Sequence, residues 1–233
     1  MTVVGCVAAL WRYPVKSMAG ERLDDVEVSW HGLAGDRRWA FIRGWRLRVG
    51  FPWLTIRDLP ELASYRPRFS EPDRSDASPT LVRTPSGVEL DVASPALAAE
   101  LGRGVRVVRQ DRGVFDAMLL SLLTTQTVAS LGKLVGTDLA VERFRPNLLV
   151  DARGGDFPED AWVGRILRIG GLRMRVDRPD KRCVVVTVDP VTLVRNPAIL
   201  RAIAQERNMR LGVYGSTVEP GRVAIGDLVE LEP

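Results

Sequence analysis

The chain has 233 residues, 45% of them hydrophobic and 27% charged, the profile of a globular protein with mass for one generous domain or two small ones. Its net charge of +4 rests on arginine, because the only lysines are Lys16, Lys133 and Lys181; guanidinium forks suit phosphate and carboxylate, though a coding bias toward arginine explains the count as well. Two cysteines, Cys6 and Cys183, and one histidine, His31, exclude a disulfide framework, a four-cysteine zinc site, an iron–sulfur cluster and a histidine-rich metal site.

Met1 to Trp11 is apolar but has no basic head and runs directly into Arg12, which predicts a strand rather than a signal peptide. No stretch approaches the length of a membrane span, so a cytoplasmic protein is expected. The later apolar runs are mostly short, β-branched and cut by Gly or Pro, and predict strands near 24–30, 38–43, 64–69, 88–92, 104–109, 147–151, 165–170, 172–177, 184–189, 211–218 and 227–231, after a first near 3–12. His31, in Trp30-His31-Gly32, reads as a turn residue, and the polar, proline-bearing stretch 70–79 as a surface loop. Three short helices are predicted, opened by Ser94-Pro95, by Thr124 and Thr125, and by Asn196-Pro197, each with a capping residue or an N1 proline. The pattern is a β-rich α+β protein divided around residues 92–105 into a small N-terminal β-rich unit and a larger β-barrel. The arginines are dispersed and aromatics make up only 6%, which disfavours a nucleic-acid partner.

Chemistry concentrates in five stretches. Tyr13-Pro14-Val15-Lys16-Ser17 leaves the first strand through a turn proline and sets an ammonium beside a hydroxyl, either a phosphate-oxygen site or an ordinary strand exit. Gly35-Asp36-Arg37-Arg38-Trp39 places a carboxylate next to two guanidinium groups, and alternation would send Arg37 and Arg38 to opposite faces. Leu122-Leu123-Thr124-Thr125-Gln126 reads as a buried strand end entering a helix, an anion site or a plain N-cap. Arg143-Phe144-Arg145-Pro146-Asn147 sets two arginines at i and i+2, on one face of an extended segment. In Lys181-Arg182-Cys183 a thiol follows two cations and precedes Val184-Val185-Val186. It is a candidate nucleophile or soft-metal ligand, or else a small buried hydrophobe at the head of a strand.

In their order and spacing these stretches, with Asp156-Phe157-Pro158-Glu159-Asp160-Ala161-Trp162-Val163-Gly164 and Val188-Asp189-Pro190, resemble the MOSC superfamily. They are most similar to its branch with an N-terminal MOSC β-barrel domain, which includes the mitochondrial amidoxime-reducing component and bacterial relatives. The similarity extends to Gly226-Asp227. The resemblance implies an N-terminal β-barrel-like domain over 1–95 and a MOSC β-barrel with a few short helices over 96–233. It implies a pyranopterin molybdenum cofactor whose metal is bound by Cys183, the catalytic centre, with Arg182 beside it. Lys16, Ser17 and Arg37 would approach the cofactor from the first domain, and Thr124, Thr125, Arg145 and Asn147 from the second. The implied activity is reduction of N-hydroxylated compounds to the amine level plus water. Electrons would come from a separate reductase or ferredoxin-like carrier, because no Gly-x-Gly-x-x-Gly turn is present and the chain ends at Pro233 without a fused ferredoxin-like domain. The alternative is a non-catalytic carrier of the cofactor, or of sulfur on Cys183. Three departures bear on substrate access: Val184-Val185-Val186 where a second hydroxyl near Thr187 is expected, Gly44-Trp45-Arg46-Leu47-Arg48 in place of what is often a more polar loop, and a partial match at Thr55-Ile56-Arg57.

Overall fold

Alternating burial builds the main sheet of the computed structural model, which describes residues 1–44 and 51–233. The strands in chain order are β1 (Thr2–Arg12), β2 (Glu21–Leu23), β3 (Asp25–Ser29), β4 (Gly32–Leu33), β5 (Trp39–Arg43), β6 (Arg66–Phe69), β7 (Thr80–Arg83), β8 (Glu89–Asp91), β9 (Val105–Arg109), β10 (Leu120–Thr124), β11 (Leu148–Ala152), β12 (Ile166–Ile169), β13 (Leu172–Lys181), β14 (Arg210–Glu219), β15 (Gly221–Ala224) and β16 (Leu228–Leu231). In β13 the inward Leu172, Met174 and Val176 are fully buried while Arg173 and Arg175 point outward, the period-2 pattern of a sheet with one apolar face. Seven strands pair in the order β11, β10, β14, β13, β12, β16, β1, and a β1–β11 pairing closes them into a barrel. All its pairings are antiparallel except β10–β11, which is parallel and is joined through α2 (Thr125–Val135), the crossover that parallel neighbours require.

Strand β3 pairs with β4 and β15, and the rest of the first half forms smaller sheets, β5–β9 and β6–β7–β8, against α1 (Pro95–Leu101). Their core gathers Phe41, Leu54, Leu62, Val82 and Leu97, and reaches Val15, Met18 and Val188. A third cluster seats α2 and α3 (Pro197–Arg207) on the barrel through Leu131, Ile199 and Ile203, together with Trp11, Tyr13, Phe144 and Val186. The segments Tyr13–Ser17, Arg143–Asn147 and Arg182–Val188 therefore run where these cores meet. Among the described residues no helix is long and apolar enough to cross a membrane.

The three helices begin at the expected caps: Ser94, Thr124 and Asn196 each accept a backbone N–H from the first turn. His31 lies in the turn between β3 and β4. The expected strand at 184–189 is instead a 3-10 turn over Val184–Thr187. β-branched residues favour strands only where a partner edge exists; the barrel edge beyond Lys181 is already taken by β14, so the chain folds back, with Val186 N–H on the Cys183 carbonyl and Val188 N–H on Val185. Strands β2, β4, β7 and β15, none longer than four residues, were not distinguishable from their flanking turns. Residues 45–48 of the Gly44–Arg48 departure lie outside the described residues.

Candidate functional site

Three backbone turns aim side chains into one cavity of about 680 Å³, lined by Lys16, Ser17, Arg37, Arg145, Asn147, Arg182 and Cys183 among others. Ser17, Arg37 and Arg145 all hold positive φ, at 68°, 50° and 53°. For non-glycine residues this left-handed region is costly, and three of them lining one cavity make it the candidate site. Arg37 reaches the cavity by that turn and not by strand alternation. Its neighbour Arg38 pairs with Asp76 instead. The Arg143–Asn147 stretch is likewise not extended: Val141–Phe144 is a 3-10 turn anchored by buried Phe144, and Arg145 follows in the left-handed region. Both arginines still face the cavity.

The floor is organised by Asp36, which is fully buried and accepts from Tyr13 N–H at 2.7 Å, from Asn147 Nδ2 at 3.1 Å and from Arg37 Nη1. Three donors on one carboxylate fix the Arg37 guanidinium, whose Nη2 also donates to the Arg145 carbonyl at 3.3 Å. Arg37 and Arg145 lie over the Tyr13 ring, 4.7 and 4.3 Å from its centroid, within cation–π range. Burial, reinforced by Arg37 and resisted by Tyr13 and Asp36, draws the Arg145 guanidinium down to about 10, still protonated at neutral pH. Lys16 is 5% exposed and donates to the Val114 carbonyl at 3.2 Å and to Asp116. Burial, only partly offset by Asp116, holds its ammonium below the usual lysine value. Burial opposes ionisation of Asp116 too, but Lys16, Arg57 and Arg37 outweigh it and leave that carboxyl below the ordinary range.

Cys183 is a free, half-buried thiol at the end of β13, and Arg57 Nη2 stands 3.4 Å from its sulfur. Its neighbour Arg182 turns inward, with Nε on the Leu211 carbonyl at 2.8 Å, Nη1 on the Phe144 carbonyl at 2.7 Å and an ion pair to buried Asp180 at 2.8 Å. Arg182 therefore positions the Cys183 backbone. Three guanidinium nitrogens of the lining residues, Arg143 Nε, Arg145 Nη2 and Arg182 Nη2, are buried with no acceptor. A buried donor left unpaired costs roughly 1–3 kcal/mol, a deficit that a bound acceptor would relieve.

Thr124 and Thr125 are not part of this cavity. Thr124 caps α2 and donates at 2.7 Å to Glu159, a fully buried carboxylate, while Thr125 donates at 2.9 Å to Asp151. The reason is topological: the parallel register Thr124↔Val150 carries the α2 N-terminus along β11, away from Cys183. Residues not singled out from sequence also line the cavity, notably Asp116, Arg178, Asp180, Arg210 and Tyr214. Arg57 was noted only as part of a partial match; its approach to Cys183 spans 126 positions and has no local signal.

A family model described as the MOSC domain matches residues 112–230, and one described as the MOSC N-terminal beta barrel domain matches residues 4–117. Molybdenum cofactor sulfurase of Drosophila erecta is 28% identical over 95% of this chain and 32% of its own length. Molybdenum cofactor sulfurase 2 of Culex quinquefasciatus is 40% identical over 34% of this chain and 10% of its own. The chain thus spans at most about a third of these curated relatives. The solved structure of YUAD protein from Bacillus subtilis superposes with a TM-score of 0.54 at 14% identity, covering 98% of this chain and 95% of that one, a likeness of fold.

Proposed function

Because the chain belongs to the MOSC domain family and carries the family's N-terminal β-barrel domain, we propose that its cavity binds a molybdenum cofactor and that the protein reduces N-hydroxylated small molecules with electrons from a separate donor protein. The observation that carries this is the placing of the half-buried Cys183 thiol in a cavity whose cationic side chains far outnumber its carboxylates, Asp116 and Asp180. The donor set suits the group: a soft thiolate for molybdenum, and guanidinium, ammonium and amide donors for an anionic organic ligand. No cluster of three or more His, Cys, Asp or Glu stands ready for a metal among the described residues, so molybdenum held by Cys183 would draw its other ligands from the cofactor. When bound, the cofactor supplies a two-electron redox centre.

The chain's own residues hold and orient. Lys16, Arg37 and Arg145 would meet the anionic part of the cofactor, with the two orphaned Nη2 atoms finding acceptors there. Asn147 keeps Arg37 in register by donating to Asp36 and accepting from Arg37 Nη1 at 3.5 Å. Arg57 places a positive charge beside the Cys183 sulfur, 3.4 Å away.

The names of the curated relatives favour a second reading in which the same pocket carries the cofactor, or sulfur on Cys183, for delivery to another enzyme. One preparation tests both. Protein made in a host competent for molybdenum cofactor synthesis is expected to carry molybdenum and a releasable pterin, and to reduce benzamidoxime with an artificial electron donor. Cys183→Ser is expected to abolish turnover and most of the bound metal. Protein free of metal and pterin would refute the reductase and the cofactor carrier, leaving only sulfur carried on Cys183; loaded protein inert toward a panel of N-hydroxylated compounds would leave the carrier.

A further inference from the structure

The cations of the cavity fall into two tiers. Those of the floor mostly have carboxylate partners: Lys16 on Asp116, Arg37 on Asp36, Arg143 on Asp189 and Arg182 on Asp180. Those of the mouth differ. Arg178, Lys181 and Arg210 are exposed cavity residues, and none of the three forms an ion pair among the described residues.

Their register sharpens the point. Lys181 and Arg210 face each other across the β13–β14 ladder, and Arg178 faces Tyr214. Like charges directly opposite in an antiparallel pair destabilise it. At the far end of the same ladder the chain avoids this: Arg173 lies opposite Glu219 and pairs with it at 3.4 Å. Unlike charges are thus used away from the cavity, and like charges where the ladder meets it, with Lys181 two residues before Cys183. The setting is concave and partly apolar, with Ile56, Val185 and Tyr214 beside the cations, which suits a small molecule better than the flat face of a protein.

We propose that Arg178, Lys181 and Arg210 form an anion-selecting mouth that favours small organic substrates bearing a carboxylate. This rests on the assignment of the cavity as the substrate site. It adds a specificity: the anionic end is held at the mouth by β13 and β14 while the body of the molecule reaches toward Cys183. The uncompensated charge of the empty ladder is relieved when such a ligand binds.

The test needs no turnover, so its outcome is separate from that of the redox assignment. Binding of benzoate and of its neutral isostere benzamide is measured by calorimetry on the purified protein, at low and at high salt. Benzoate is expected to bind about fivefold or more tightly than benzamide, with the advantage shrinking at high salt. The advantage should vanish in the Lys181→Gln/Arg210→Gln double variant. Arg210→Glu places unlike charges across the ladder, so it is expected to hold or raise the melting temperature and to lose the benzoate preference as well. Equal affinities in the wild type, or a preference that survives both variants in folded protein, would overturn the proposal whether or not the protein carries molybdenum.

Discussion

Glu159, which lies outside the cavity, shows how a single side chain ties neighbouring elements together. It is fully buried, its Oε2 accepts from the hydroxyls of Thr124 and Thr127 at 2.7 Å each, and its Oε1 has no partner. Burial pushes its carboxyl above the ordinary glutamate value, with the two threonine hydroxyls pulling the other way. Folding therefore favours the neutral acid. The stability it contributes is complete below the glutamate value of the unfolded chain and declines as pH rises from there to the raised native value. Glu159→Gln is expected to remove that slope from a urea-denaturation series across mildly acidic pH, with wild type and variant converging at low pH. Glu159→Ala leaves both hydroxyls without their acceptor and is expected to cost about 1–3 kcal/mol at every pH.

At the scale of the element, the bend of β14 decides where the reactive stretch points. Between the pairs Pro179↔Val213 and Lys181↔Arg210 the register shifts, so that Leu211 and Gly212 stand opposite Asp180 alone. This bulge brings the Leu211 carbonyl onto Arg182 Nε and turns Arg182 inward. Gly212 has φ +71°, and a Cβ there would meet the Leu122 carbonyl and a Leu123 methyl at 2.8 Å and Arg182 Nη2 at 3.2 Å. Gly212→Ala is expected to lower unfolding free energy by about 1–3 kcal/mol and, by displacing Arg182, to change the reaction rate of Cys183 with a thiol reagent. Equal stability and an unchanged rate would show that the bulge does not position the thiol.

Such features explain what was and was not legible in the sequence. Alternation in Leu172-Arg173-Met174-Arg175-Val176 and the caps Ser94, Thr124 and Asn196 are local signals, and they located a long strand and three helices. Val184-Val185-Val186 has the composition of a strand but no free edge to join, a fact set by β14 some 25 residues later. Lys16, Ser17, Arg37, Arg145, Asn147, Arg182 and Cys183 converge on one cavity, whereas Thr124 and Thr125 bond to Glu159 and Asp151. The positive φ of Arg37 and Arg145, which aims both, carries no residue-type signal because neither is glycine.

The molecule as a whole is bound together by β1. That strand lies in the seam of the barrel, paired to β11 on one side and β16 on the other, and it buries Val7 and Leu10 in the barrel core. Residues 112–230, the span matched by the MOSC domain model, therefore lack one stave when expressed without the first strand. A fragment covering 112–233 is expected to show no cooperative unfolding transition by circular dichroism. A cooperative transition of the fragment alone would show that β1 only decorates a barrel able to close without it.

That seam also dictates an order of events during synthesis. Of the barrel's staves, the first to be synthesised must wait for the last, since β1 (Thr2–Arg12) and β16 (Leu228–Leu231) are neighbours in the finished sheet. Its greasy side stays without a full home while the intervening staves are made, and chains halted before β16 are left as natural clients for holdase chaperones and proteases.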